Sequence, residues 1–184
     1  MKRILNSIIQ KVTWKHTAFV TVLFAFLYIL INFSGVGVAA LLEITGGANI
    51  LDFEFGYSKD EAYQMLTALN ENGRTFYLTR ILPIDFPFPF AYMLFYAGWI
   101  ALLLKHTRAK TWCTYLLFIP LLAMLSDWIE NIGIITMLVN FPHLPTWAVF
   151  LASVAGMIKT VSTIISIVII FLLLVVFLIR KLHK

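Results

Sequence analysis

The chain has 184 residues, 61% of them hydrophobic, with a formal net charge of +5 and a mean hydropathy of +0.90. So much apolar surface excludes a soluble domain of this length and indicates an all-α integral membrane protein. One cysteine, Cys113, excludes an intramolecular disulfide and any mechanism that needs a cysteine pair within the chain.

Four stretches are long and apolar enough to cross a bilayer, which takes about 20 residues. They are Thr17–Phe33, Phe86–Leu104, Thr111–Val139 and Trp147–Ile179. Basic residues sort around them. Lys2, Arg3, Lys11 and Lys15 precede the first, Lys105, Arg108 and Lys110 separate the second from the third, and Arg180, Lys181 and Lys184 follow the fourth. No acidic residue lies in those segments. The positive-inside rule then predicts cytoplasmic termini, with residues 34–85 and the loop 140–146 on the far side. This placement also accounts for the basic pI better than a nucleic-acid partner would. The first stretch exceeds a signal-peptide core and reads as an uncleaved anchor.

Residues 34–85 are too few and too apolar for a domain of their own. They read as an extracytoplasmic cap on a single four-helix transmembrane domain covering 1–184. Leu51-Asp52-Phe53-Glu54-Phe55 alternates apolar and acidic residues, as an extended segment lying on an apolar surface would. Ser58 and Glu61 form a capping-box signature. The spacing predicts a short amphipathic helix from Lys59 to about Asn70, with Ala62, Met65, Leu66 and Leu69 on one face and a stop at Asn72-Gly73. Pro83, Pro87 and Pro89 are expected to bend the approach to the second span.

Counting about 1.5 Å per residue from the cytoplasmic basic boundary puts Asn32, Asp85, Asp127, Glu130, Asn131 and Lys159 all about 25–31 Å up. The hydrocarbon core is about 30 Å thick, so these groups share a layer near its far boundary. The faces agree. Asp127, Glu130 and Asn131 are spaced i, i+3, i+4. Ala152, Ala155, Gly156, Lys159, Ser162, Thr163 and Ser166 form one small and polar stripe. Asp85, Tyr92 and Tyr96 align, as do Thr21, Ala25, Tyr28 and Asn32. These stripes are expected to enclose a polar pocket roofed by the cap. Lys159 is the one formal cation facing Asp85, Asp127 and Glu130, with Arg74 and Arg80 able to reach down from the cap.

The motifs GGANILDFEFGYSKDEAYQMLTALNENGRTFYL, DFPFPFAYMLFYA and LLAMLSDWIEN, followed by Lys159, resemble those of a family of small bacterial four-span membrane proteins. The resemblance covers Gly46 to Lys159. It implies a bacterial inner-membrane setting and no assigned activity. The plan of four spans with bundle carboxylates is also similar to that of membrane sterol isomerases, whose motif residues this chain lacks.

Two readings remain open. In one, the pocket binds or acts on a membrane lipid or other amphiphile. Asp127 and Glu130 would be acid–base groups with Lys159 as their partner, and Asp85, Asn131, Arg74, Arg80, Tyr92 and Asn32 would hold the ligand. In the other, the polar layer is a structural ion-pair network in a scaffold that meets a membrane protein partner. No cofactor is expected. The four histidines lie at span ends without ligand spacing, so no metal site is expected either. A proton or solute path is disfavoured, because no ionisable residue lies below the layer.

Overall fold

A computed structural model describes residues 2–107 and 110–182. Arg108 and Lys184, both used in the topology argument, lie outside the described residues. Every regular element among the described residues is helical. The α-helices are α1 (Lys2–Lys11), α2 (Trp14–Phe33), α3 (Val38–Thr45), α4 (Lys59–Ala68), α5 (Asn70–Phe76), α6 (Leu82–Asp85), α7 (Phe88–His106), α8 (Phe118–Asn140) and α9 (Thr146–Leu182). Four stretches are long and apolar enough to cross a membrane: Trp14–Thr45, Asn70–His106, Trp112–Asn140 and Thr146–Leu182.

These match the four expected spans, the third starting one residue later at Trp112, and two run well beyond them. After α2 the chain pinches at Ser34, whose hydroxyl donates to the Leu30 carbonyl at 2.5 Å, and helix resumes as α3. The second stretch begins at Asn70 rather than near Phe86. Its prolines punctuate a long helix instead of leading into one. Pro83 has no N–H to give and its ring crowds the carbonyl four residues back. A π turn over Tyr77–Ile81 lies immediately before it, and the helix breaks again between α6 and α7 at Phe86-Pro87. There the Trp128 indole donates to the Phe86 carbonyl at 2.9 Å.

The α4 helix forms as its sequence predicts at the start. Ser58 accepts from the Glu61 N–H, and Glu61 accepts from the Ser58 N–H. Ala62, Leu66 and Leu69 are fully buried. Its end differs from expectation. The helix stops at Ala68, and Asn70, not Gly73, takes the left-handed conformation with φ 54°. The Asn70 side chain then accepts from the Gly73 N–H and starts α5. Gly73 is buried within α5 because α3 packs there: an added Cβ would lie 2.5 Å from the Thr45 methyl.

The expected extended segment is also different. Leu51–Phe53 is a 3-10 turn. Leu51 is buried, while Phe53 and Phe55 are 54% and 62% exposed. The acidic member, Asp52, turns inward. Burying Leu51 and giving Asp52 a cation partner outweigh covering two phenylalanines.

The α8 and α9 helices pack along one another, α7 packs on both, and α2 rests chiefly on α7. Three apolar clusters result. One joins α3, α4 and the π turn to the nearby ends of α8 and α9, through Leu41, Leu51, Leu66, Tyr77, Met137 and Ala148. A middle cluster holds Tyr92, Tyr96, Ala123 and Met124 against Phe24, Phe88 and Phe95. The third closes the opposite end around Ile9, Ile100, Ala101 and Leu104. Basic residues at that end also serve as helix caps. Lys105 donates to the carbonyls of Gln10 and Val12, and Arg180 donates to that of Thr107.

Candidate functional site

The polar stripes meet between the first two clusters. On α8, Asp127, Glu130 and Asn131 are all buried and point toward α9 or α6. On α9, small residues let the helices approach closely, and Gly156 lies directly against the Glu130 carboxylate. One turn on, Lys159 reaches the same carboxylate. Its Nζ is 2.5 Å from Glu130 Oε2, 3.7 Å from Asp127 Oδ1 and 3.8 Å from Asp52 Oδ1. The Glu130 side chain has no exposure and that of Asp127 has 5%.

Asp52 is the residue that sequence reasoning missed. The 3-10 turn carries it into the layer, where its Oδ2 accepts from the Tyr77 hydroxyl. Asp127 is held the same way, with Oδ2 accepting from the Tyr92 hydroxyl at 3.0 Å. Asp85 accepts from the Asn131 amide at 2.7 Å. Three carboxyl groups, those of Asp52, Asp127 and Glu130, thus converge on one ammonium, and Asp85 lies on the same wall, bonded to Asn131. The segment carrying Asp52 is tied to α9, since the Tyr57 N–H donates to Ser153 and the Lys59 ammonium to Thr146. Tyr57 itself is buried, and desolvation raises its phenol above the usual range.

Beside this cluster is a cavity of about 580 Å³. Asp52, Asp85, Asp127 and Lys159 form its charged wall, with Asn32, Thr160 and Thr163 close by. Phe24, Tyr28, Phe88, Tyr96 and Ile164 form its apolar wall. Its size and mixed lining match those of small-molecule sites, usually about 300–1,000 Å³.

Of the expected site residues, Asn32, Asp85, Tyr92, Asp127 and Lys159 line this cavity. Glu130 and Asn131 stand behind the wall and hold Lys159 and Asp85 in place. The two arginines do not reach the site. Arg74 stacks over the Phe141 ring at 4.0 Å and donates to the Leu66 carbonyl. Arg80 is exposed, and neither is among the residues lining the cavity. A guanidinium with an aromatic face and an open helix end nearby is satisfied locally, so it has no need to descend.

Oxygens of Asp52, Asp127 and Glu130 also lie within 4.8 Å of one another, close enough to share a cation. Glu130 is taken up by the Lys159 ammonium at 2.5 Å, which leaves a metal ion only the two aspartates. No family model matches the chain, and no match is found among curated proteins or solved structures.

Proposed function

We propose that the chain is a multi-pass protein of a bacterial inner membrane that binds an amphiphile in this cavity. The charge bias supports cytoplasmic termini and an extracytoplasmic segment 34–85. The observation that carries the reading is the two-sided cavity: a charged wall with buried carboxylates faces a more extensive aromatic and aliphatic wall. A polar headgroup suits the first and a hydrocarbon chain the second. The α2 helix is held chiefly by α7, so the cavity beside it is open to a molecule arriving from the bilayer.

Acid–base chemistry on such a ligand would fall to Asp127. It lines the cavity, has one oxygen fixed by Tyr92, and turns the other toward Lys159. The second reading is a non-catalytic scaffold, favoured by the close Glu130–Lys159 pair, which forms without any ligand.

Mass spectrometry of lipid carried through purification of the full chain separates the two. Thr163→Phe puts a ring into the cavity beside its charged wall without replacing any member of the ion pairs. The wild type should retain a bound amphiphile and the variant should not, at equal melting temperature. Equal retention, or none in either, refutes the binding reading and leaves the scaffold.

A further inference from the structure

We infer that the headgroup taken by this cavity is an amine: the ligand is a cationic amphiphile whose ammonium is held between Asp52 and Asp127. The inference rests on the reading of the cavity as an amphiphile site.

The two carboxylates are built alike. In each, a tyrosine hydroxyl donates to Oδ2: Tyr77 to Asp52 and Tyr92 to Asp127. In each, Oδ1 is buried and accepts no hydrogen bond among the described residues. Lys159 does not supply the missing bond. Its Nζ is drawn to Glu130 at 2.5 Å and stays 3.7 and 3.8 Å from the two Oδ1 atoms, beyond hydrogen-bond distance. Both aspartates line the cavity. A buried acceptor without a donor is costly, so two of them, each oriented by its own tyrosine, mark a place for a donor group.

Charge selects which donor. Asp52, Asp127 and Glu130 face one ammonium, and Asp85 lines the same cavity. An added cation offsets an uncompensated carboxylate, whereas a phosphate adds to the negative field. Arg74 and Arg80, the groups that would have received a phosphate, are elsewhere. An alkylammonium offers three N–H donors at its tip, enough for both Oδ1 atoms. Its chain then lies along Phe24, Phe88 and Ile164.

The test compares hexadecylamine, hexadecyl phosphate and hexadecanol as competitors for the full chain in phosphatidylcholine nanodiscs. The amine should bind about 10-fold or more tighter than the alcohol, the increment of a hydrogen bond to a charged group. The phosphate should bind more weakly than the alcohol. Asp52→Asn with Asp127→Asn should abolish the advantage of the amine over the alcohol measured on the same variant. If that variant does not fold, Tyr77→Phe and Tyr92→Phe keep the carboxylates, release their orientation, and should narrow the advantage. Phosphate binding as tight as amine, or amine no tighter than alcohol, overturns the amine and leaves the cavity reading intact. Binding of none of the three, with Thr163→Phe indistinguishable from wild type, overturns both.

Discussion

Gly156→Ala tests the packing of the charged layer through a single methyl group. An added Cβ would lie 2.5 Å from Glu130 Oε1 and 3.0 Å from its carboxyl carbon. The carboxylate must therefore retreat by about 1 Å to restore ordinary van der Waals contact. Glu130 has no exposure, so the retreat is into packed protein and away from Lys159, 2.5 Å from its other oxygen. Crowding of this kind costs about 1–3 kcal/mol, and weakening a charge-assisted contact about 1.5–3 kcal/mol. Replacing a helical glycine by alanine recovers about 1 kcal/mol. The expected outcome is a net loss of about 2–4 kcal/mol in reversible unfolding in detergent. The decisive comparison repeats the change in a Glu130→Ala, Lys159→Met background. No carboxylate then remains to be displaced, only the helix-propensity gain survives, and the sign should reverse. An equal loss in both backgrounds would mean that the crowding is not with Glu130.

Gly133→Ala should destabilise by about 1–3 kcal/mol, because its Cβ would lie 2.9 Å from the Ala148 carbonyl, a backbone atom that cannot step aside. Gly98→Ala, whose nearest neighbour is 3.5 Å away, should melt like wild type or slightly higher. The Ser58 N–H and hydroxyl hold the Glu61 carboxyl below the usual glutamate range. Its folded value is the lower one, so its contribution is full above the unfolded value and is lost as pH falls through the folded value. Protection of Lys59–Tyr63 from hydrogen exchange, corrected for the intrinsic rate, should therefore fall in acid, and Ser58→Ala, which removes the hydroxyl and keeps the N–H, should lessen that dependence at a local cost of about 0.5–2 kcal/mol. For topology, cysteines at Lys59 and His143 should react with an impermeant reagent from outside intact cells and one at Lys181 should not. Labelling of Lys181 from outside would refute the charge argument.

The part of the site that follows helical periodicity was legible in the sequence. Asp127, Glu130 and Asn131 on α8 and Lys159 on α9 lie on uninterrupted helices, so depth and face could be counted. Asp85, Tyr92 and Tyr96 were grouped correctly, although the helix between them breaks. Asp52 and Tyr77 were not legible. Asp52 sits on a 3-10 turn, where period-two alternation assigned the wrong face. Tyr77 sits in a π turn that no simple period describes. Arg74 and Arg80 were misplaced because charge alone suggested a carboxylate partner, whereas Phe141 and a helix-end carbonyl were nearer to Arg74. Gly73 was read as a stop because its contact is tertiary, with Thr45 on α3.

The π turn over Tyr77–Ile81 acts as a gear between two parts of one helix. In an unbroken α-helix, residues eight apart, such as Tyr77 and Asp85, project about 80° apart. One π turn absorbs an extra residue and brings them within about 20°. Tyr77 can then fix Asp52 while Asp85 lines the same cavity. Deleting a single residue here, such as the exposed Thr79, would restore regular helix and swing Tyr77 off that face. The helix would lose little and Asp52 would lose its hydroxyl partner. Chain length in this turn is therefore itself a determinant of the site.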